Sequence, residues 1–263
     1  MTEPEDLPVL NEHDIARIRP PRFPLSSSWD PVWQLENMIG TNPLWLTEEL
    51  LHHLPLTPEQ RVLDLGCGKG MSSMFLAKEC RVNVWAADLW ESPDDIWKHA
   101  RDLGLDNFVC PIRAEAHTLP FAHEFFDAVV CVDAWHLFGL GDGFIGRIAN
   151  YVTSGGYIAM IVPGLHHEFE DGLPPHVIPF WQQEFWSLHS ADWWTSLWEK
   201  DSAFSIVHSE FVSDGWKLWL QWEEIARDTG YAYVEDDIYL LQADAGQNLG
   251  FVIVVAQVRS EYI

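Results

Sequence analysis

The chain has 263 residues, and 40 aspartates and glutamates stand against 15 lysines and arginines, for a formal net charge of -25. Such a negative field repels polyphosphates and anionic bilayers, so nucleic acid and membrane surfaces are excluded as partners. The acidic start MTEPEDLPVL and the lack of a long apolar run favour a cytoplasmic protein. Cys67, Cys80, Cys110 and Cys131 show no Cys-x-x-Cys spacing, which favours buried thiols over a zinc site or disulfides.

Residues 1–28 contain several prolines and a run of three serines, which predicts an extended or partly mobile N-terminal arm. From Trp29 to Leu54 the pattern is helical, with Asp30 as a candidate N-cap and a proline in the first turn. We therefore expect a helical entry to a single domain that covers residues 29–263.

Short apolar runs rich in β-branched residues then alternate with helical patterns. The predicted strands cover residues 61–66, 82–89, 107–115, 126–133, 156–163, 204–212 and 249–259. This alternation predicts an α/β fold: a doubly wound, seven-stranded Rossmann-like sheet with helices on both faces. Two helical insertions are rich in tryptophan. The first, residues 164–200, follows the fifth strand, and the second, residues 213–248, joins the last two strands.

The stretch RVLDLGCGKGMSS, residues 61–73, places a glycine loop between the first strand and a helix. At the carboxyl edge of a doubly wound sheet, such a loop presents backbone amides and a helix N-terminus to a ligand. A P-loop would need Lys and then Ser or Thr after Gly70, where Met71 and Ser72 stand. A dinucleotide fingerprint would need its third glycine at Met71, so both patterns fail.

The remaining pattern is Asp-x-Gly-x-Gly-x-Gly, which resembles motif I of class I S-adenosylmethionine-dependent methyltransferases of the small-molecule type. That group includes ubiquinone and sterol C-methyltransferases and cyclopropane fatty acid synthase-like proteins. The resemblance implies S-adenosylmethionine as cofactor, with its methionyl end in the loop of Gly66, Cys67, Gly68 and Gly70. The loop amides would donate to the carboxylate of the cofactor, and Asp64 would accept from its ammonium group, directly or through water.

Two further segments agree with this resemblance. The second strand ends at Asp88, where a carboxylate can accept both ribose hydroxyls, and Leu89 would pack against the adenine. The segment AEAHTLPF resembles the Asp-Ala-x-x-Leu-Pro-Phe segment of the family. It implies that Glu115 accepts from the adenine amino group and that Ala116 offers its amide to the ring.

The fourth strand ends in CVDAWHLFG, which places Asp133 and His136 at the carboxyl edge beside the methyl end of the cofactor. Methyl transfer from a sulfonium is an in-line displacement that needs a base only if the acceptor must lose a proton. We expect His136 to be the base or an orienting group. A histidine that is merely satisfied by a backbone partner is an equal alternative.

Tryptophans crowd residues 181–222, where they either form core or line an acceptor pocket under a lid made by the two insertions. The stripe at Trp216, Trp219 and Trp222 is typical of core. We expect Trp186 and Trp194 to line the pocket. The entry segment resembles the helix that caps the cofactor in small-molecule methyltransferases, which suggests Trp45 and Thr47 as further contacts.

His166, His167, His176 and His189 lie in the first insertion, but their spacings match no ligand signature, so no metal is expected. The predicted function is methyl transfer to a small apolar or cationic metabolite by a monomer or homodimer. The alternatives are non-methylating displacement chemistry with S-adenosylmethionine or another one-carbon carrier, and a non-catalytic protein that binds S-adenosylmethionine.

Overall fold

The computed structural model describes residues 9–231 and 235–260. Seven strands form one sheet: β1 (Arg61–Leu65), β2 (Asn83–Asp88), β3 (Val109–Arg113), β4 (Phe126–Val132), β5 (Val152–Leu165), β6 (Phe204–Val212) and β7 (Leu249–Val258). Their order is β3-β2-β1-β4-β5-β7-β6. Strand β7 runs antiparallel to both of its neighbours, and the other pairs are parallel. The predicted Rossmann-like sheet of seven strands is confirmed.

Helices cover both faces of this sheet. They are α1 (Glu12–Ile18), α2 (Pro31–Glu36), α3 (Pro43–Leu51), α4 (Met71–Cys80), α5 (Pro93–Asp102), α6 (Trp135–Phe138), α7 (Phe144–Ala149), α8 (Ala191–Trp198), α9 (Gly215–Asp228) and α10 (Glu235–Asp244). Helices α3, α4, α5, α9 and α10 share one apolar core with the sheet, and α6, α7 and α8 share the other. In the described part of the chain, no helix has the length and apolar character needed to cross a membrane.

The central strands are buried on both faces, which explains their continuous apolar sequences. Val129 and Val130 are consecutive residues of β4 that pack in opposite cores, and neither is exposed. Successive side chains of a strand point to opposite faces of the sheet. When helices cover both faces, every side chain is buried, so apolar residues do not alternate with polar ones.

The N-terminal segment is packed against the domain, so the prediction of an extended arm is wrong for residues 9–28; residues 1–8 lie outside the described residues. Helix α1 begins with a capping box at Asn11. Ile18 and Phe23 are completely buried in a cluster that includes Trp45 and Trp222. Burial of these apolar side chains outweighs the tendency of the prolines to keep the segment extended.

The predicted entry helix is divided into α2 and α3 by residues 37–42. Asp30 caps α2 through the backbone N–H of Trp33, and Asn42 caps α3 ahead of Pro43. Gly40, between the two helices, has a φ of 67°, a conformation that glycine adopts without strain. The connection therefore turns sharply, which brings residues 37–43 to the carboxyl edge of the sheet.

The four cysteines are free. Cys67 and Cys131 are buried and Cys80 is half-buried, as the sequence predicts, but Cys110 is exposed. Cys110 lies on β3, an edge strand on which only Val109 is buried.

Candidate functional site

A cavity of about 440 Å³ opens at the carboxyl ends of β1, β2 and β4. Strand β1 lies between β2 and β4, so the chain leaves this edge of the sheet in two opposite directions. Crevices at such a point of the strand order are the usual ligand sites of doubly wound folds. The volume and the mainly apolar wall are typical of a site for a small molecule.

The glycine loop forms one wall of the cavity. Gly66 has a φ of 76°, and a Cβ atom added to it would lie 2.6 Å from the Cβ of Ala134. Gly68 also lines the cavity with a positive φ. Gly70 lies outside the lining and begins α4, where an added Cβ would meet the side chain of Ile96 at 2.9 Å. Two of the glycines therefore keep the cavity open, and the third allows the helix to begin.

Four backbone amides of the loop are already bonded within the protein. Gly66 and Cys67 donate to the carbonyl oxygen of Ala87 at 2.8 and 3.2 Å, Gly68 donates to Asp88 Oδ2 at 2.9 Å, and Gly70 donates to the carbonyl of Cys67 at 2.9 Å. The prediction that these amides hold a ligand carboxylate is corrected accordingly. Met71 and Ser72 line the cavity, and their first-turn amides have no partner within α4, so both amides remain available as donors.

Asp64 does not line the cavity. Its Oδ2 accepts hydrogen bonds from the hydroxyls of Ser72 and Ser73, each at 2.6 Å. Complete burial raises the pKa of Asp64 to about 6, although the two serine hydrogen bonds lower it. Asp64 therefore holds the first turn of α4 in place. Because it does not line the cavity, the predicted direct contact with a ligand ammonium group is corrected, and the contact through water stays a prediction.

Asp88 lies at the end of β2 and lines the cavity, as predicted. Its Oδ2 accepts from the amide of Gly68 at 2.9 Å, and its Oδ1 accepts from the amides of Trp90 and Glu91 at 2.9 and 3.0 Å. Each carboxylate oxygen has two lone pairs, so Oδ2 can still accept from a ligand hydroxyl.

Leu89, Glu115 and Ala116 line the cavity next to Asp88, so the structure brings these predicted residues together. Glu115 accepts from the ring Nδ1 of His117 at 2.7 Å and from its backbone amide at 3.0 Å. These hydrogen bonds hold the pKa of Glu115 below its ordinary value. The carboxylate is therefore kept ionised as an acceptor at the mouth of the cavity.

Asp133 lines the cavity at the end of β4 and is bonded to the turn between α2 and α3. Its Oδ2 accepts from the amide of Thr41 at 3.2 Å and from the hydroxyl of Thr41 at 2.8 Å. A Cβ atom on Gly40 would lie 2.5 Å from the same oxygen, so the turn needs glycine there. Burial raises the pKa of Asp133 to about 7, and the hydrogen bonds from Thr41 oppose that rise.

Glu223, on α9, is a buried carboxyl group near Asp133. It is 2% exposed, and its Oε2 has no hydrogen-bond partner among the described residues. Burial raises its pKa to about 8, and the charges of Asp237 and Asp133 raise it further. Glu223 is therefore largely protonated at pH 7, behind the side of the cavity at Asp133.

Comparison with known proteins identifies this arrangement. Residues 63–160 match a family model described as a methyltransferase domain, and they include the glycine loop, Asp88, Glu115 and Asp133. Residues 63–160 are thus similar to methyltransferase domains, and the fold around them is called the methyltransferase domain below. The chain spans less than half the length of the curated relatives that it matches.

The names of similar proteins describe different reactions: O-methylation, N-methylation and a [4+2] cyclisation. A fatty-acid O-methyltransferase of Mycolicibacterium smegmatis is 29% identical over 125 residues, which are 47% of this chain and 41% of that protein. Phosphoethanolamine N-methyltransferase 2 of Haemonchus contortus, solved with S-adenosyl-L-methionine, has a TM-score of 0.70 at 18% identity and covers 96% of this chain and 61% of that one. The [4+2]-cyclase SpnF has a TM-score of 0.64 at 18% identity, with 85% and 84% covered.

His136 lies beside the cavity of the methyltransferase domain but does not line it. It borders a shallower neighbouring cavity, together with Leu137, which lines both. Burial lowers the pKa of His136 to about 4, and its Nδ1 has no hydrogen-bond partner among the described residues. The imidazole is therefore neutral at pH 7, and Leu137 lies on the wall where His136 was expected.

The tryptophans predicted to contact an acceptor do not line the cavity of the methyltransferase domain. Trp45 and Trp194 are buried in core, the first against Phe23 at 5.9 Å between ring centroids. Trp186 is 62% exposed on the outer surface. The hydroxyl of Thr47 donates to the carbonyl oxygen of Pro43 within α3. None of these four side chains lines the cavity. For Trp45 and Trp194 the reason is that large apolar rings gain more from the helix–sheet core than from a hydrated cavity.

The predicted lid is also corrected. Among the described residues, neither residues 164–200 nor residues 213–248 contribute to the cavity lining; Trp219 and Trp222 are core, as their spacing predicts. A further wall of the cavity comes from Ile39, Gly40 and Pro43, which sequence reasoning missed. The Gly-Thr-Asn-Pro run that begins at Gly40 is a turn signal that could have indicated this connection.

Proposed function

We propose that this chain transfers the methyl group of S-adenosylmethionine to a small acceptor that is apolar or cationic, by in-line displacement. The observation that carries the proposal is the cavity in which the glycine loop, Asp88, Glu115 and Asp133 meet. The methyltransferase relatives support the reaction type. Because the chain matches only part of their length, the acceptor is inferred from the cavity and not from their names.

The residues of the cavity fit this cofactor, which supplies an electrophilic methyl group on a sulfonium. Gly66 and Gly68 leave room that a Cβ atom would fill. Asp88 Oδ2 retains the lone pair needed for a ribose hydroxyl. Leu89 would lie against the adenine, and the amide of Ala116 would bond to the ring, as the family resemblance implies.

The cavity offers a hydrogen-bond acceptor to the adenine end of the cofactor and hydrogen-bond donors to its methionyl end. Glu115, an ionised acceptor, suits the adenine amino group. The free amides of Met71 and Ser72, at the positive end of the α4 dipole, suit the methionyl carboxylate. The cavity therefore offers a complementary partner to the adenine amino group and another to the methionyl carboxylate.

Asp133 is the residue that we assign to the acceptor. Both hydrogen bonds from Thr41 end on Oδ2, which leaves Oδ1 to accept a proton or to orient an ammonium group. A pKa of about 7 keeps a large fraction of this carboxyl ionised at neutral pH. His136, with a pKa of about 4 and a place on the neighbouring cavity, is a weaker base in a worse position.

The mouth of the cavity favours an apolar acceptor. Ile39, Trp90 and Leu137 line it and are exposed to 47%, 76% and 52%. Exposed apolar side chains grouped at a cavity typically mark a binding site. An acceptor that covers them would also exclude water from the sulfonium, which displacement requires.

The test is incubation of the full chain with methyl-labelled S-adenosylmethionine and two acceptor panels, fatty acids and small amines. The expected result is label in one product class, and a loss of transfer in Asp133→Asn that leaves S-adenosylhomocysteine affinity within a few-fold. Binding of the cofactor without label transfer to any acceptor or metabolite extract would contradict methyl transfer. Conversion of an acceptor to an unlabelled product would instead indicate non-methylating chemistry.

We also infer a cytoplasmic monomer or homodimer that binds neither nucleic acid nor membrane surfaces. The charge of -25 supports the exclusion of polyanions. The four free cysteines support a reducing compartment.

A further inference from the structure

Three potential metal ligands meet at the far edge of the sheet, away from the methyl-transfer cavity. His208 and Glu210 are two residues apart on β6, the last strand in the sheet order, so their side chains share one face. His53 follows the end of α3 and reaches the same face. These three residues are called the edge cluster below, and none of them lines the cavity.

The two imidazoles converge on one carboxylate. His53 Nε2 lies 3.3 Å from Glu210 Oε1, and His208 Nε2 lies 3.5 Å from Glu210 Oε2. The two rings stack with their centroids 3.6 Å apart. His208 Nε2 is buried and has no hydrogen bond among the described residues. Buried side-chain nitrogens normally form a hydrogen bond, so this nitrogen is available to a ligand.

These distances suit a tetrahedral ion. Zinc–nitrogen and zinc–oxygen bonds of about 2.0 to 2.2 Å place neighbouring ligand atoms about 3.3 Å apart. The ligand atoms of the edge cluster all lie within 4.8 Å of one another, and no other group of three in the described part of the chain meets this condition. Two imidazoles and a carboxylate are a donor set that zinc prefers, with a fourth position left for water.

We propose that His53, His208 and Glu210 bind one zinc ion at the edge of the sheet. The parallel rings must open so that both Nε2 lone pairs point at the ion. The exposed fractions of the side chains, 25%, 27% and 40%, leave room for that rotation on the solvent side. The histidines that the sequence singled out are arranged differently: His176 pairs with Asp244 and His189 with Glu168, one carboxylate each.

A zinc ion here would join two parts of the fold that are 155 residues apart in sequence. It would fix the end of α3 to β6, and α3 begins at Pro43 on the wall of the cavity. Because the ion would bind the folded chain, it would raise the unfolding temperature by mass action. The site would therefore act on stability, and its test does not depend on methyl transfer.

The experiment uses the full chain without a histidine tag, after treatment with a chelator. Titration with ZnCl₂ by calorimetry should give one equivalent of binding, and MgCl₂ should give none, since magnesium prefers oxygen ligands. Co²⁺ should produce the visible absorption of a tetrahedral site. His53→Ala, His208→Ala and Glu210→Gln should each weaken zinc binding at least tenfold. The matched control is His52→Ala, which removes the exposed histidine next to His53 and should leave the affinity unchanged.

Folding of each variant is checked by circular dichroism and by S-adenosylhomocysteine binding. The proposal is overturned if the wild-type chain binds no zinc. It is also overturned if zinc binding survives in folded His53→Ala and His208→Ala, or falls equally in His52→Ala. If one variant fails to fold, the other two still decide the outcome.

Discussion

Replacement of Glu223 with glutamine should stabilise the protein in a strongly pH-dependent way. In the folded chain burial raises the pKa of Glu223 from 4.5 to about 8. Between these two values the unfolded chain releases a proton that the folded chain retains, so the free energy of unfolding falls as pH rises. At about 1.4 kcal/mol for each pKa unit, the loss reaches about 5 kcal/mol above pH 8 and about 3 kcal/mol at pH 7.

Glutamine has the shape of the neutral carboxyl group and does not ionise, so Glu223→Gln should remove this loss. Urea unfolding followed by tryptophan fluorescence gives the free energy by linear extrapolation. The variant should differ from wild type by less than about 1 kcal/mol at pH 5 and gain several kcal/mol at pH 8. Glu199→Gln, an exposed change of the same charge, should have little effect at either pH. A difference that is equal at pH 5 and pH 8 would refute the reasoning, because Glu223 would then be ionised in the folded protein.

Asp88→Asn should weaken S-adenosylhomocysteine binding by about 1 to 3 kcal/mol in calorimetry, because a ribose hydroxyl and the amide of the glycine loop lose a charged acceptor; unchanged affinity would place the ribose elsewhere. Trp194→Ala should lower the free energy of unfolding by about 3 to 5 kcal/mol. The exposed Trp186→Ala should change it by less than about 0.5 kcal/mol, and equal losses would contradict the core assignment. Thr41→Val removes a hydrogen bond that lowers the pKa of Asp133, so the rise of activity with pH should move to higher pH; an unmoved profile would argue against Asp133 as the titrating group.

The site residues that directly follow the end of a strand could be predicted from the sequence. Each strand of the core has a local apolar pattern, so the strands could be identified from short segments. The glycine loop follows β1 and Asp88 ends β2, so both were expected at the same edge of the sheet. Leu89, Glu115 and Ala116 follow the ends of β2 and β3 in the same way. The sheet order then brings these segments into one cavity.

The roles that depend on distant partners could not be predicted. The hydroxyls of Ser72 and Ser73 donate to the carboxylate of Asp64. The sequence before the loop would be the same whether Asp64 bound a ligand or these two serines, so its partner could not be predicted. Trp45 has the same helical surroundings whether it faces a ligand or Phe23, and the choice depends on where the N-terminal segment packs. Glu223 reads as an ordinary helix residue until the burial of α9 removes its solvent.

The two hydrogen bonds from Thr41 to Asp133 join parts of the chain that are 92 residues apart in sequence. Residues 37–43 form one wall of the cavity, so these bonds fix that wall to the end of β4. At about 1 kcal/mol each, they favour the arrangement with the wall in place by about 2 kcal/mol. A ligand that enters the cavity therefore does not have to order residues 37–43 itself, and its affinity is not reduced by that entropic cost.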